Sequence, residues 1–381
     1  MLWRRPLPHF IASFHFLANG KMATDDLDTD AGASAQLPIR AAGNTDESNS
    51  TAFDIVKTYR SLLDADPDLT MPVAAIESLI ELLHATPSST AMETVEVVKK
   101  EKAKLVASAP NPLPILAGAD LFEQFLLRSL RGQTASGSAD VVLSFDETRQ
   151  HLLRNKLLFA ERAKAARDMI AKLGSERVVD GGVVMTAGGS RVVTKILLHA
   201  AAVQKKQFKV IYVLDGSPRT DASVAALRDA GIPVETVLFQ KVAYMLLNQS
   251  QINVVMVGTE VITWNGGVVS RMGTCQLAQL CKKLPGTMRR FFVAAESHKI
   301  HRNMPIAYPM VLHLGVRQRH IGRWENLANG SIRDLDGKPM ENWLADQDEV
   351  EYTEPEFIDG FITEQGIKSP GMIVKMVEDY N

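Results

Sequence analysis

Cysteine is almost missing from this chain: Cys275 and Cys281 are the only two in 381 residues. Six apart on one predicted helix, they form neither a disulfide framework nor a CxxC metal site, and they fit a reducing cytosol. Small, buried and apolar is the role expected of both. Long apolar runs are missing too. No stretch approaches about 18 uninterrupted apolar residues, so no transmembrane helix is expected. Neither sign of charge is in excess, because 42 Lys and Arg face 44 Asp and Glu for a formal net charge of -2. That balance removes any overall electrostatic drive toward nucleic acid or an anionic membrane surface. The nucleotide fingerprints GxGxxG and GxxxxGK[ST] do not occur, which disfavours dinucleotide and P-loop binding. What is present suits a folded chain of two domains, or one large domain with an appendage: 46% hydrophobic and 23% charged residues.

The first 50 residues stand apart. "MLWRRPLPHFIASFHFLANGKMAT" (1–24) has Arg4, Arg5 and Lys21 and no acid, a pattern faintly like a mitochondrial presequence. The simpler reading makes residues 1–21 an upstream extension before Met22, and 22–50 a disordered, polar lead-in. From about Phe53 to Gly174 the pattern is helical. Pro72 suits a first turn, and Ile76, Leu79, Ile80 and Leu83 recur at helical spacing. Helical character continues through 91–107, 119–130 and 146–173.

Near residue 178 the period changes. Strands are expected in "VVDGGVVMTA" (178–187), "KVIYVLD" (209–215), "PVETVLF" (233–239), "INVVMVGTE" (252–260) and "RRFFVAAE" (289–296). Helices alternate with them, one carrying the stripe Val192, Val193, Ile196, Leu197, Ala200 and Val203. Buried strands alternating with helices predict a parallel, doubly wound, Rossmann-like α/β domain over 175–381, after a helical domain over 51–174.

Ligands of such sheets lie beyond the carboxyl ends of the strands, where loops run into helix N-termini. "TAGGSR" (186–191) offers Gly188, Gly189 and Ser190 to a phosphate, with Arg191 as counter-charge; equally, the glycines make a tight turn and Ser190 caps a helix. "LDGSPRTD" (214–221) reads as a solvated loop. "GTEVITWNGGVVSRMGT" (258–274) gathers Glu260, Asn265, Gly266, Gly267, Arg271, Gly273 and Thr274. Two readings of it stand level. In one, Glu260 is a general acid, and Arg271 with the amides near Gly273 and Thr274 holds a phosphate. In the other, the glycines make a hairpin-like excursion between strand and helix. Glu296, His298, Lys299 and His301 follow the last strand. Their spacing does not set three ligands on one face, so no metal is expected, and Lys299 is read as an anion partner at the site mouth.

The runs "TAGGSRVV", "GTEVITWNGGVVSRMGTCQLA", "VAAESHK" and "VEYTEPEFIDGFITEQGIKSP", with "DADPDLTMPVAAIESLIELL" near the start, resemble the alpha subunits of eukaryotic translation initiation factor 2B. The resemblance spans roughly residues 52–381 in order. It implies a regulatory, non-catalytic subunit of the guanine-nucleotide exchange factor for initiation factor 2. Such a subunit is a cytosolic homodimer that bridges the complex, beside beta, delta, gamma and epsilon subunits, and senses the phosphorylated alpha subunit of initiation factor 2. The same family includes isomerases of methylthioribose-1-phosphate and ribose-1,5-bisphosphate. Those enzymes resemble one another in a catalytic cysteine in the first loop and an aspartate in a Gly-Ala-Asp triplet. Here the first loop reads Thr186-Ala187-Gly188-Gly189, without a thiol, and the triplet reads Gly258-Thr259-Glu260. The resemblance thus implies a pocket for a sugar phosphate or nucleotide monophosphate, lined by Gly188, Gly189, Ser190, Arg191, Glu260, Asn265, Gly266, Gly267, Arg271, Gly273, Thr274 and Lys299, with no catalytic residue and no cofactor. An active ribose-phosphate isomerase is the alternative. Two departures stand out: Arg271 replaces the usual lysine, and the polar stretch 313–343 looks like a surface insertion in a loop.

Overall fold

Why the first half is helical is plainest at its centre. In "MPVAAIESLIELLHA", Pro72 presets the first turn, and the sequence is apolar on nearly every side. Such a helix must be surrounded, and Val73, Ala74, Ala75, Ile76, Leu79, Ile80, Leu82 and Leu83 are all buried. The computed structural model describes residues 53–86, 90–109, 111–135, 157–249, 251–285, 289–302 and 350–378. Residues from Ile55 onward form one compact unit. The expectations for 1–50 and for the 313–343 insertion lie outside the described residues.

The helical part comprises α1 (Ile55–Ala65), the central α2 (Met71–Ala85), α3 (Ala91–Ala107) and α4 (Leu113–Ala135). A Thr90 cap bonded by the Glu93 amide starts α3. Gly118 of α4 meets the Pro72 backbone so closely that an added Cβ would stand 2.1 Å from the Pro72 carbonyl oxygen. The α2–α4 crossing therefore depends on that glycine. α5 (Leu157–Ser175) packs on α6 (Arg191–Ala202), so by its contacts it belongs with the α/β layer. Gly174, expected to end α5, lies within its last turn, where a Cβ would meet the Ile196 side chain at 2.6 Å.

Five parallel strands match the sequence expectation in place and order: β1 (Val183–Ala187), β2 (Lys209–Leu214), β3 (Val234–Leu238), β4 (Ile252–Gly258) and, after two further strands, β7 (Arg290–Ala294). α7 (Pro218–Asp229) joins β2 to β3, and α8 (Val242–Asn248) joins β3 to β4. β5 (Val261–Thr263) and β6 (Val268–Arg271) precede α9 (Thr274–Lys283), and β8 (Ile300–His301) and β9 (Val350–Thr353) follow β7. β10 (Gly360–Thr363), β11 (Gly366–Lys368) and α10 (Pro370–Glu378) end the described chain.

The large sheet runs β11-β10-β7-β4-β1-β2-β3, with only β11 antiparallel to its neighbour. Its strands are covered on both faces. Along β1, Val183, Met185 and Ala187 join one core with α8, α9 and α10, while Val184 joins another with α5, α6 and α7. From β1 the chain winds outward to β2 and β3, then returns to place β4 on the other side of β1. The switch point thus lies between the carboxyl ends of β1 and β4. A second sheet, β8-β5-β6-β9, stands beside it, and α4 of the helical part packs against β5 and β8.

Candidate functional site

A cleft opens at that switch point. Its floor is the β1–α6 turn and the end of β4. Ala187, Gly188, Gly189, Ser190 and Arg191 come from the first, and Gly258, Thr259 and Glu260 from the second. Arg167 enters from α5, Arg219 from α7, Arg271 from the end of β6, Thr274 from the start of α9, and Glu296 and Lys299 from beyond β7. Among the described residues five cations face two carboxylates there, so this lining is positive although the chain as a whole is not.

The glycines of the first loop have a definite use. Gly188 (φ 79°) and Gly189 (φ 60°) take left-handed backbone. A Cβ on Gly189 would meet Arg219 Cβ at 2.7 Å, and one on Gly188 would meet Arg271 Cβ at 3.3 Å. Bare backbone there lets two arginines close in. Ser190 caps α6 by accepting from the Val193 amide, so capping and cleft lining hold together.

Arg271 carries the strongest sign of a ligand. Its Nε is buried and has no hydrogen-bond partner among the described residues, which leaves an unsatisfied charged donor on a residue that lines the cleft. Asp215 lies near enough to feel it: burial pushes that carboxyl up, but bonds from Thr220 and Ser217, aided by Arg271, bring it below its usual range.

Glu296 is fully buried, 3.1 Å from Lys299 Nζ and 3.7 Å from Arg167 Nε. Burial alone would raise its pKa, but Lys299 and then His298 overrule it and hold the carboxyl at about 2. Lys299 also donates to the Thr259 carbonyl at 3.0 Å, tying the β7 end to the β4 end. His298 is buried and shares a hydrogen bond with Thr70 Oγ1 at 3.1 Å, which joins the cleft wall to the helical part. Chiefly through burial its pKa falls to about 4. His301 is buried against α4, 3.3 Å from Asp120.

Arg191 turns toward the helical part. It donates to the Pro67 carbonyl and, at 3.4 Å, to the Leu69 carbonyl. Burial, then repulsion from Arg167, pulls its guanidinium below the usual range. Tyr59 of α1 stands close to Glu260: burial, reinforced by the Glu260 charge, pushes its phenol up.

Of the twelve residues expected at the site, Gly188, Gly189, Ser190, Arg191, Glu260, Arg271, Thr274 and Lys299 line the cleft. Asn265, Gly266, Gly267 and Gly273 do not line it. Asn265 and Gly266 turn the β5–β6 hairpin, where the Asn265 side chain bonds Thr263 Oγ1 at 2.5 Å and the Tyr352 hydroxyl at 2.9 Å. Gly266 (φ 81°) lies against Pro370 and Gly267 against the Tyr352 ring. The hairpin reading therefore describes Asn-Gly-Gly, and its job is to seat the second sheet. Gly273 (φ 92°) starts α9 against the Phe239 ring. The free α9 amides expected for a phosphate are already engaged, because Glu351 accepts from the Cys275 amide at 2.8 Å and also bonds the Gly273 amide. A carboxylate from β9 stands where an anion was expected. Arg167 and Arg219 were missed. Arg219 falls in the 214–221 stretch that the sequence reads as a solvated loop but that the structure turns into the start of α7, and Arg167 sits on a helix with no local mark of a site.

Comparison with known proteins gives this geometry a setting. The sequence model of the Initiation factor 2 subunit family matches residues 64–370. The translation initiation factor eIF2B subunit alpha of Dictyostelium discoideum is 25% identical over 334 residues, covering 84% of this chain and 95% of that protein. The ribose 1,5-bisphosphate isomerase of Archaeoglobus fulgidus is 31% identical over 160 residues, 41% of this chain and 48% of the enzyme. In solved structures the fold is shared with a chain of the tetrameric eIF2B-beta2-delta2 complex from C. thermophilum, with a TM-score of 0.59, 18% identity, and 86% and 95% of the two chains covered.

Proposed function

Because the chain belongs to the Initiation factor 2 subunit family, we propose that it serves translation initiation as a regulatory, non-catalytic subunit of the exchange factor for initiation factor 2. In this reading it is a cytosolic homodimer that bridges the two halves of the complex, beside the beta, delta, gamma and epsilon subunits, and senses the phosphorylated alpha subunit of initiation factor 2. Its helical part contributes to the groove for that partner. Its cleft binds a sugar phosphate or nucleotide monophosphate and does not transform it.

One observation carries the last point. The cleft presents a positive wall with the unpartnered Arg271 Nε, as a phosphate ester requires, yet the loop at the end of β1 reads Ala187-Gly188-Gly189 and has no thiol. Moving a proton between adjacent sugar carbons needs an acid and a base in reach of both. Glu260 is present, on a side chain one methylene longer than the aspartate of the related isomerases, and the thiol that would be its acid–base partner is missing. The likeness to the alpha subunit over 84% of the chain supports the assembly role. No helix among the described residues is long and apolar enough to cross a membrane.

Purifying the tagged protein from its own cells under gentle salt tests the assembly. Recovery of the other four exchange-factor subunits is expected, and their absence would sink the reading. The alternative, an active ribose-phosphate isomerase, rests on Glu260 in the cleft. Turnover of a ribose phosphate by the purified chain, abolished by Glu260→Gln, would establish it instead.

A further inference from the structure

The cleft's arginines are already in use. Between α1 and α2 the turn Asp66–Thr70 is braced by its own bonds, Asp68 N to Asp66 Oδ1 at 2.8 Å and Leu69 N to the Asp66 carbonyl at 2.9 Å. Its outward carbonyls point at the cleft wall. Arg191 donates from both terminal nitrogens, Nη1 to Pro67 O and Nη2 to Leu69 O. Arg167 donates Nη2 to Asp68 O at 2.7 Å and Nη1 to Asp68 Oδ1 at 3.2 Å. The end of each guanidinium fork, the edge best shaped for a phosphate, is thus spent on this turn. The acid that pairs directly with these arginines is Asp68, whose side chain is 62% exposed, while Asp66 acts on Arg167 through its charge.

We propose that the Asp66–Thr70 turn is an internal strap that occupies the anion-binding edges of Arg167 and Arg191, and that a phosphate-bearing ligand entering the cleft competes for them and releases the strap. This rests on the reading of the cleft as a phosphate-ester pocket, and adds how its occupancy is reported. The strap is the chain link from α1 to α2, which also pack on each other. Its release loosens α1, so ligand in the α/β cleft changes the helical part, the region assigned to the phosphorylated partner. Linkage makes the effect reciprocal: whatever holds the strap closed weakens the ligand, and ligand weakens the strap by the same factor. A dianionic phosphate is the stronger competitor, because it brings more charge and more acceptors to the buried Arg167 and its exposed neighbour Arg191 than one exposed carboxylate does.

The test uses the full chain and inorganic phosphate. Calorimetry gives the affinity for wild type and for Asp68→Asn, which keeps size and removes the strap's charge, with Asp68→Ser as a second variant. Hydrogen exchange of amides in 55–74 is followed with and without saturating phosphate. Expected are phosphate binding about fivefold tighter in the variants, within the usual span of coupling between sites, and faster wild-type exchange in 55–74 when phosphate is bound. Damage to the fold would weaken binding instead, so tighter binding separates the strap from a structural role. Phosphate that binds wild type without speeding exchange in 55–74, or variants that bind equally or less tightly, overturn the strap and leave the pocket standing. No phosphate binding to wild type or variants overturns the pocket, and the strap with it.

Discussion

Lowering the pH from 7 to 5 probes the joint between the helical part and the cleft through one side chain, His298. It is 7% exposed and bonded to Thr70. Burial chiefly holds its pKa at about 4 against the ordinary 6.5, with Glu296 opposing and Lys299 and Arg167 assisting. The folded protein therefore keeps this imidazole neutral where the unfolded chain protonates it. A depressed folded pKa contributes stability that is full above pH 6.5 and is lost as pH falls toward 4. Integrating the difference in bound protons for this one site removes about 2 kcal/mol between pH 7 and pH 5. Glu296 acts in the same direction but lower, since its contribution is present above 4.5 and disappears as pH falls toward 2. His301, also lowered by burial with Asp120 opposing, adds to the same window as His298. Urea unfolding followed by circular dichroism, at pH 7 and 5, compares wild type with His298→Gln. The variant should lose about 2 kcal/mol less than wild type over that interval, with the His301 slope remaining in both. An equal loss in the two proteins would refute the assignment.

Arg271→Gln should weaken inorganic phosphate binding by about 10-fold or more, the worth of a charge-assisted hydrogen bond, with little change in melting temperature; calorimetry and a thermal melt read the two. Gly273→Ala combines a left-handed backbone with a Cβ 2.1 Å from the Phe239 ring, so a cost of about 2 kcal/mol or more in urea unfolding is expected. Glu351→Ala strips the bonds from the Cys275 and Gly273 amides and should cost about 1 kcal/mol by the same measurement. A thiol reagent at pH 8 should leave Cys281 unlabelled until denaturant is added, because burial first, then the Asp359 charge, pushes its thiol up to about 11.

The alternation of apolar strands and helices after residue 178 was legible because burial on both faces of a parallel sheet imposes it, and β1, β2, β3, β4 and β7 lie where the pattern put them. Gly188, Gly189 and Ser190 were legible for the same topological reason: a turn after the first strand must face the switch point. Asn265-Gly266-Gly267 was legible only as an ambiguity. Its outcome rests on Tyr352 and Pro370, some 87 and 104 residues away, and no local pattern announces partners at that distance. Arg167 was hidden likewise, since its place in the cleft depends on how α5 lies on α6. β10 and β11 are short, and the antiparallel edge they make follows a segment with no periodic signal.

The register of β9 concentrates several duties in three residues. Val350 pairs with Arg271, Glu351 with Ser270 and Tyr352 with Val269. Tyr352 then holds the β5–β6 turn, and Glu351 closes the start of α9. Successive strand residues face opposite ways, so a slip of one position would exchange these two side chains and undo both attachments together. β9 acts as a key with two teeth cut on opposite edges. Anything that misdelivers Val350 from its place beside Arg271 would therefore disturb the cleft wall through β9, although β9 itself is absent from the described lining.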